Sequence, residues 1–432
     1  MIKINKNKRT VMLAPAVYNW AETHRMASFA KEFHKKGFNV IMLGRGQYDY
    51  LYIDEPFEIA VPESDRWWFN DERISKLMDI DKYRNDYTGL HELEKIVEEE
   101  CEIIRQYKPE VIITGYRTTL SISAKIVSIP LVWILSAVVS PMYYIEGMAS
   151  MPDRYPIKML KDASSKISSF YYSKLALSNN STSGIWNKCL KKHRLKPFKY
   201  DMQLFEGDFN LMSDAKELFP KFKKNKDNYK FCGPIFNFEE IPFPNSIKNY
   251  KAQRNKTIFI SMGSSGNSSV FFEILEFLKE LPYNVFVATT SILKNINPND
   301  YPSNFTFEKK YPPIKMASLA DVCIIHGGQG TVYSTILGGT PFIGIPMFSE
   351  QQYNLENLIN KFNCGKVIKR SELSFDIFKD SLYKILTNDI YKTNIQLLKS
   401  KIEKYYYDRE YRAEVVGVRQ IIDYLKNNKC DR

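Results

Sequence analysis

A glycine-rich segment in the second half of the chain contains residue types that bind phosphate. The segment is Ile325-His326-Gly327-Gly328-Gln329-Gly330-Thr331, and the apolar run Val322–Ile325 before it predicts a buried strand. We expect a helix from Thr331, and a helix N-terminus offers free backbone N–H groups and the positive end of the helix dipole. Glycines let a ligand approach the backbone, while His326 and Thr331 add side-chain donors. The pattern predicts a phosphate seat; the alternative is an ordinary βα turn with glycines for packing.

A carboxylate and a carboxamide follow this segment within the same stretch of chain. Glu350 and Gln351 come after Gly339-Thr340-Pro341 and Pro346. Such a pair suits a ligand with several adjacent hydroxyl groups. The alternative interpretation is an acidic residue in the first turn of a helix, where the dipole favours it.

Composition and length indicate a soluble, two-domain protein. The 432 residues are 44% hydrophobic and 25% charged, which is ordinary for globular chains. The longest apolar stretch, Ile129–Val139, is too short to span a bilayer. No apolar run of signal-peptide type precedes the first strand, so we expect a cytoplasmic protein. The six cysteines are scattered without metal-ligand spacing, which argues against structural zinc and a disulfide framework.

The net charge of +12 has two candidate causes. One is a composition rich in lysine and asparagine; the other is an anionic membrane or an acidic partner. Basic residues are dense between Lys188 and Lys199 and again between Lys221 and Lys226, with Trp186, Phe198 and Phe222 among them. Peripheral contact with the inner membrane face is therefore one expectation. Nucleic acid is not an expected partner, because no recognised reader motif is present.

Strand-like and helix-like segments alternate along both halves of the chain, which predicts parallel α/β sheets. The predicted strands of the first half include Val111–Thr114, Leu131–Leu135, Phe209–Met212 and Phe231–Pro234. We expect an N-terminal Rossmann-like domain over residues 1–237, a proline-containing linker over 238–256 and a C-terminal Rossmann-like domain over 257–405. Residues 406–432 should form a helix that closes back on the first domain. Ligands of open α/β sheets bind at strand C-termini, and Glu22, His24 and His326 all follow predicted strands.

The C-terminal pattern resembles that of nucleotide-sugar-dependent glycosyltransferases of GT-B fold, in the branch that holds macrolide and plant secondary-metabolite transferases. The residues that carry the resemblance are Tyr311-Pro312-Pro313, Ala320-Asp321, His326 to Thr331, Gly339-Thr340-Pro341, Pro346 to Gln351, and Asn354. Weaker similarity covers Asn210 to Pro220 and Gly233-Pro234-Ile235. The resemblance implies two Rossmann-like domains whose parallel sheets face a central cleft.

The same resemblance implies roles for individual residues. The donor diphosphate would contact His326, Gly328, Gln329, Gly330, Thr331 and, from another loop, Ser264. The segment Tyr311 to Pro313 would hold the nucleobase, and Glu350 and Gln351 would bind sugar hydroxyls. Many relatives have a glutamate where this chain has Ser334, which would then meet the ribose.

The chain departs from the family pattern at the position of the catalytic base. Relatives carry a histidine in the first βα loop, paired with an acidic residue after a later strand. Here those positions are Glu22 and Gly115, with His24 two residues beyond Glu22. A base is still needed to take the acceptor proton. Glu22 could serve if burial raises its pKa, whereas His24 has the more suitable intrinsic pKa. Both remain candidates, Glu22 slightly preferred; the alternative is that they merely occupy a helix N-terminus.

No metal site is expected, because the short Asp79-Ile80-Asp81 motif is common by chance and the helix dipole with His326 suffices for a leaving diphosphate. The predicted activity is an inverting hexosyltransferase reaction from a UDP- or dTDP-sugar, with no other cofactor, to a small or lipophilic acceptor. Trp67, Trp68, Phe69, Trp133, Tyr143 and Tyr144 are candidates for an acceptor pocket, or simply for core. Two alternatives stay open: a nucleotide-sugar hydrolase or epimerase of this fold, and a catalytically silent partner protein. The acceptor and the oligomeric state are not predicted.

Overall fold

The structure, a computed structural model, describes residues 7–68, 89–153, 165–180, 183–219, 222, 227–238, 241–248, 255–263, 268–289 and 296–429. These residues form two compact units. One lies within Met1–Ser150, Ala163–Ile235 and Asp408–Arg432, and the other within Met151–Asp162 and Phe236–Tyr407. Each unit is built on its own parallel sheet.

The first unit contains a seven-stranded sheet with strand order β3-β2-β1-β4-β5-β6-β7. Its strands are β1 (Thr10–Ala14), β2 (Asn39–Leu43), β3 (Glu58–Ala60), β4 (Val111–Thr114), β5 (Leu131–Leu135), β6 (Phe209–Met212) and β7 (Tyr229–Phe231). β1, β4, β5 and β6 are buried along their whole length. They are continuous apolar runs because helices cover both faces of a parallel sheet.

The helices of the first unit connect these strands and cover the sheet. They are α1 (Trp20–Lys35), α2 (Ser64–Trp68), α3 (Leu90–Tyr107), α4 (Leu120–Val127), α5 (Pro141–Ile145), α6 (Ser165–Ala176) and α7 (Ser183–Lys192). The chain-terminal helix Ala413–Lys429 also belongs here. Its Val418, Ile421 and Leu425 lie in the same hydrophobic cluster as Phe29 of α1.

The second unit contains a six-stranded sheet with strand order β10-β9-β8-β11-β12-β13. Its strands are β8 (Thr257–Ser261), β9 (Asn284–Ala288), β10 (Phe305–Glu308), β11 (Val322–Ile325), β12 (Phe342–Gly344) and β13 (Gly365–Val367). Its helices are α8 (Asn245–Lys248), α9 (Ser268–Lys279), α10 (Pro313–Leu319), α11 (Gln329–Gly338), α12 (Ser349–Phe362), α13 (Phe375–Thr387), α14 (Ile390–Ile402) and α15 (Lys404–Tyr407), so that Ala413–Lys429 is α16. All ladders of both sheets are parallel.

One segment of the first half belongs to the second unit, which the predicted division at 1–237 did not include. Asp153 accepts hydrogen bonds from the Ser371 backbone N–H, at 3.1 Å, and from the Ser371 hydroxyl. The side-chain oxygen of Gln352 accepts from Asp153 N at 2.9 Å, and its amide donates to Met151 O at 3.0 Å. The partners of this segment, Gln352 and Ser371, are far from it in the sequence. No local pattern at residues 151–153 could therefore indicate these contacts.

Candidate functional site

In the first unit, the strand order reverses between β1 and β4, and the loops after these two strands flank the crevice where open α/β sheets bind ligands. Glu22 lies in the first turn of α1, directly after the β1 loop. Asn19 caps this helix, and its side chain accepts a hydrogen bond from Glu22 N. Thr114 at the end of β4 donates to Ala14 O at 2.9 Å and ties the two strand ends together. The helix start therefore delivers the Glu22 carboxyl group to the place where the two loops meet.

The Glu22 carboxylate bridges the two loops. One oxygen accepts from Ala16 N at 2.6 Å and the other from Gly115 N at 3.0 Å. The residue is only 4% exposed, and burial raises its pKa to about 7, although both backbone hydrogen bonds and the nearby Arg25 favour the charged form. A carboxyl group with that pKa exchanges its proton near neutral pH, as a general base requires.

Gly115 has no room for a side chain while Glu22 holds this position. A Cβ atom there would lie 2.8 Å from a Glu22 oxygen and 2.8 Å from the Ile134 carbonyl oxygen. The glutamate therefore occupies the volume into which a residue at position 115 would project. The Glu22 carboxylate and the Ile134 carbonyl oxygen thus leave no space for the acidic side chain that the family resemblance placed at position 115.

His24 lies two residues after Glu22 on α1 and stacks on a different neighbour. Residues two apart on a helix point in different directions, and the His24 ring stacks on Trp20, one turn earlier, with ring centroids 4.9 Å apart and planes 6° apart. His24 is half-buried. Glu22 and His24 thus occupy different surroundings on the same helix, and Glu22 contacts the β4 loop through the hydrogen bond from Gly115 N.

Sequence reasoning missed a buried ion cluster beside Gly115. Arg117 donates to Glu100 at 2.7 Å and to both Asp65 oxygens, at 2.8 and 3.1 Å. Burial alone lowers the pKa of Arg117, but these two carboxylates more than reverse that effect and keep it charged. The cluster fixes the loop that presents Gly115 N to Glu22. Its members are 52 and 17 residues from Arg117, and no local signal joins them.

In the second unit the strand order reverses between β8 and β11, and His326 lies at that reversal. Added Cβ atoms at Gly263, after β8, and at Gly328, after β11, would each lie 2.5 Å from the imidazole. Gly263 also has φ +65°, which favours glycine. The ring is therefore enclosed by two glycines, one from each loop of the crevice.

His326 is uncharged at neutral pH. It is 4% exposed, and burial lowers its pKa to about 4, while the Ser261 backbone has a smaller opposite effect. Within the described part of the chain its Nδ1 atom has no hydrogen-bond partner. Stabilisation of a bound phosphate would therefore come from backbone N–H groups and the helix dipole, with the imidazole as a neutral hydrogen-bonding group.

The helix after His326 begins at Gln329, two residues before the predicted start. Its N-cap is Gly328, which provides no side-chain cap. Gln329 and Ser334 are half-buried and Gly330 is exposed, with no atom within 4 Å of the place where a Cβ would be. Thr331 donates to Gly328 O at 2.8 Å. The open, uncapped helix start is the arrangement expected of a phosphate seat.

The Glu350 and Gln351 pair lies beside this loop, at the start of α12. Asn354 on the same helix donates to Gly327 O at 3.0 Å, and the Gln351 carbonyl lies 2.6 Å from where a Gly327 Cβ would be. The Gln351 side chain is buried and accepts from Met347 N at 2.8 Å, whereas Glu350 is half-buried. Gln351 therefore holds the β12 loop, and Glu350 is the more accessible of the two.

The predicted nucleobase segment is partly core. Tyr311 packs edge-on against Phe259 and Phe286, donates to Thr306 O at 3.2 Å, and has its pKa raised by burial. Its ring is enclosed, so a base contact from this segment would involve the backbone or the half-buried Pro313, the first residue of α10. Ser264 lies outside the described residues, as does the Asp79-Ile80-Asp81 motif.

The remaining candidates divide between core and residues without a described side chain. Trp133, Tyr143 and Tyr144 are buried, while the side chains of Trp67, Trp68 and Phe69 are outside the described part. The five cysteines among the described residues are free and buried. The described ranges contain no group of three metal-ligating side chains and no helix long and apolar enough to cross a membrane.

Comparison with known proteins identifies the family. Residues 108–406, more than half of the chain, match the model of the UDP-glucoronosyl and UDP-glucosyl transferase family. The chain belongs to this family, and its two parallel-sheet domains have the GT-B fold.

Individual relatives agree with this assignment. The chain is similar to the uncharacterized UDP-glucosyltransferase YojK of Bacillus subtilis, at 27% identity over 45% of this chain and 48% of the relative. It is also similar to a PGL/p-HBAD biosynthesis glycosyltransferase of Mycobacterium tuberculosis, at 25% identity over 65% and 64%. These matches span about half to two thirds of the curated relatives. The fold is similar to that of CalG4, the calicheamicin glycosyltransferase, with a TM-score of 0.68 and 13% identity over 97% and 98% of the two chains.

Proposed function

We propose that the protein is an inverting glycosyltransferase that moves a hexose from a UDP- or dTDP-sugar to a hydroxyl group of a small or lipophilic acceptor. The observation that carries the proposal is the buried Glu22 carboxyl group, with a pKa of about 7, at the strand-order reversal of the first sheet. Membership of the UDP-glucoronosyl and UDP-glucosyl transferase family supports the choice of donor class.

The proposed reaction is a single displacement. Glu22 accepts the proton of the acceptor hydroxyl group while the acceptor oxygen forms a bond to the anomeric carbon. The bond from that carbon to the diphosphate oxygen breaks, and its electron pair leaves with the nucleoside diphosphate. Attack from the side opposite to the leaving group inverts the anomeric configuration.

In this proposal the second unit binds the donor. The start of α11 and the neutral His326 would contact the diphosphate, and the negative charge that develops there would be met by backbone N–H groups and the helix dipole. Glu350 would bind sugar hydroxyls, and Gln351 would position the β12 loop through Met347 N. No metal or further cofactor is part of the proposed mechanism.

The first experiment measures donor binding and turnover. Thermal shift with uridine, thymidine and guanosine diphosphates and their glucose forms identifies the nucleotide, and release of free diphosphate reports slow donor hydrolysis. We expect stabilisation by the uridine or thymidine compounds. No stabilisation by any nucleotide would contradict the proposal and favour a catalytically silent protein. Donor consumption whose rate no acceptor increases would favour a hydrolase or epimerase.

A further inference from the structure

The helix α6 of the first unit exposes large apolar residues of the kind that a surface helix of a soluble protein turns toward the core. Ser168, Tyr172 and Ser173 are buried, and Ser173 donates to Ala149 O at 3.3 Å. On the outer side, four large apolar or aromatic residues are each 50–55% exposed: Ile167, Phe170, Tyr171 and Leu175. The packing of this helix on the unit therefore leaves its apolar side uncovered in the described part of the chain.

These four residues form one continuous stripe. At about 100° per residue, they and Lys174 fall within an arc of roughly 140°. Lys174 is exposed and its ammonium group lies 4.3 Å from the centre of the Phe170 ring. An apolar stripe that includes a lysine, whose stem can lie along the stripe while its charge stays in water, is typical of a helix that lies in a membrane interface.

A basic loop adjoins the end of this helix. Lys196 and Lys199, with Lys125, line a cavity of about 370 Å³, and all three lysines are exposed. Asp201 connects this basic loop with the chain that follows α6. Its N–H donates to Asn179 O, three residues after α6, at 2.7 Å, and its carboxylate accepts from Ser183 N at 2.6 Å.

We propose that α6 and the loop Lys196–Tyr200 form a surface that docks on an anionic phospholipid bilayer, with the apolar stripe in the interface and the lysines on lipid phosphates. The net charge of +12 favours an anionic surface. A second copy of the chain fits less well. A two-fold contact would place the same patch on both sides and so bring the positively charged lysines of both copies into one interface. This surface does not depend on the proposed reaction.

Vesicle sedimentation tests the proposal with the full chain. We expect binding to phosphatidylcholine vesicles that contain about a third phosphatidylglycerol, little binding to phosphatidylcholine alone, and weaker binding as ionic strength rises. Absence of binding to the anionic vesicles overturns the proposal. Equal binding to both kinds of vesicle also overturns it, because the lysines would then contribute nothing.

Two double variants assign the binding to this surface. Phe170→Ser with Tyr171→Ser should weaken partitioning at least about tenfold, while Tyr383→Ser with Leu397→Ser, which alters exposed residues of the second unit, should leave it unchanged. Lys196→Glu with Lys199→Glu should weaken partitioning into the anionic vesicles at least about fivefold for each lysine. The control Lys379→Glu with Lys401→Glu makes the same change in net charge elsewhere. Equal losses in test and control variants overturn the assignment.

Light scattering and nucleotide thermal shift complete the test. If the unaltered protein is an oligomer and the Phe170→Ser, Tyr171→Ser protein is a monomer, the stripe joins copies of the chain and the proposal is wrong. Nucleotide-induced stabilisation should be the same in all four variants. Its absence in the unaltered protein would bear on the proposed reaction alone, so the two proposals fail separately.

Discussion

The two sheets each place one buried titratable residue at the point where their strand order reverses, and burial drives the two residues toward the same uncharged state by opposite shifts. The pKa of Glu22 rises to about 7 and that of His326 falls to about 4. Near pH 7 the first group exchanges its proton and the second does not. Equivalent positions in two similar folds are thereby suited to different tasks: proton transfer in the first unit and charge-free ligand contact in the second.

The partners of the two residues account for the difference. Glu22 accepts two backbone N–H bonds and lies near Arg25, so its ionised form is partly compensated. His326 lies between Gly263 and Gly328, whose lack of side chains admits the ring, and no carboxylate is among the groups that shift its pKa. Desolvation therefore dominates at His326 and is partly offset at Glu22.

Glu22→Gln should have the largest effect on turnover. Loss of the proposed base is expected to lower kcat by about 10²–10⁴-fold, with nucleotide-induced thermal stabilisation unchanged. Glu32→Gln is the matched control, since Glu32 is a buried glutamate on the same helix whose ion-pair partners are Lys36 and Arg409. If the two variants turn over equally well, Glu22 is not the base.

Gly115→Ala should lower kcat by about 10²-fold, because its Cβ would displace the Glu22 carboxylate. The clash with Ile134 O should also cost about 1–3 kcal/mol of stability, which chemical denaturation measures. In a Glu22→Gln background the same change should reduce kcat much less, since the two residues act through one contact. Additive effects on kcat in the double variant would show that Gly115 acts independently of Glu22.

Gly263→Ala tests the second unit in the same way. Its Cβ would lie 2.5 Å from the His326 ring, so we expect the donor KM to rise about tenfold or more, and the nucleotide thermal shift to shrink. Gly184→Ala is the control, because open space surrounds Gly184. A normal donor KM in Gly263→Ala would mean that the position of His326 does not matter for donor binding.

The pH dependence should separate the two units. The kcat/KM is expected to rise about tenfold per pH unit below pH 7 and to level off above it, as Glu22 ionises. Nucleotide affinity should vary little with the state of His326 between pH 6 and 8, because its pKa is about 4. If donor binding and turnover had the same pH dependence, the proposal that Glu22 transfers the proton while the neutral His326 contacts the donor would be contradicted.

Stability should also respond to pH with opposite signs at the two residues. Glu22, whose pKa is raised on folding from 4.5, contributes stability below about pH 4.5 that is lost by pH 7, about 3 kcal/mol in all. His326, whose pKa is lowered on folding from 6.5, contributes stability above pH 6.5 that is lost as the pH falls to about 4. Urea denaturation of Glu22→Gln and His326→Gln proteins across this range should remove one slope each.

His24→Ala should have the smallest effect, less than about threefold on kcat, because its ring stacks on Trp20. Turnover assays of His24→Ala and Glu22→Gln side by side decide between the two candidate bases. A loss of activity in His24→Ala as large as that expected for Glu22→Gln would reverse the assignment.

The buried central strands were predictable, whereas the short edge strands β3 and β13 were not. The predicted strands Val111–Thr114, Leu131–Leu135, Phe209–Met212 and Val322–Ile325 are confirmed to the residue, because buried parallel strands are continuous apolar runs. The edge strands β3 and β13 are three residues long and partly exposed, so they carry no such signal. The strand predicted at Phe231–Pro234 is wrong in position. The observed strand β7 is Tyr229–Phe231, and Gly233 has φ +101°, which is not a strand conformation.

The sequence by itself determined the two-sheet architecture and the glycine-rich loop of the second unit, because a strand, a turn and a helix start are contiguous in the chain. Only the tertiary structure decided the chemistry of Glu22. Its carboxylate meets Gly115 N, 93 residues away, and its pKa depends on burial that the whole first unit creates. A local pattern can indicate a helix N-terminus, but desolvation is a property of the packed molecule.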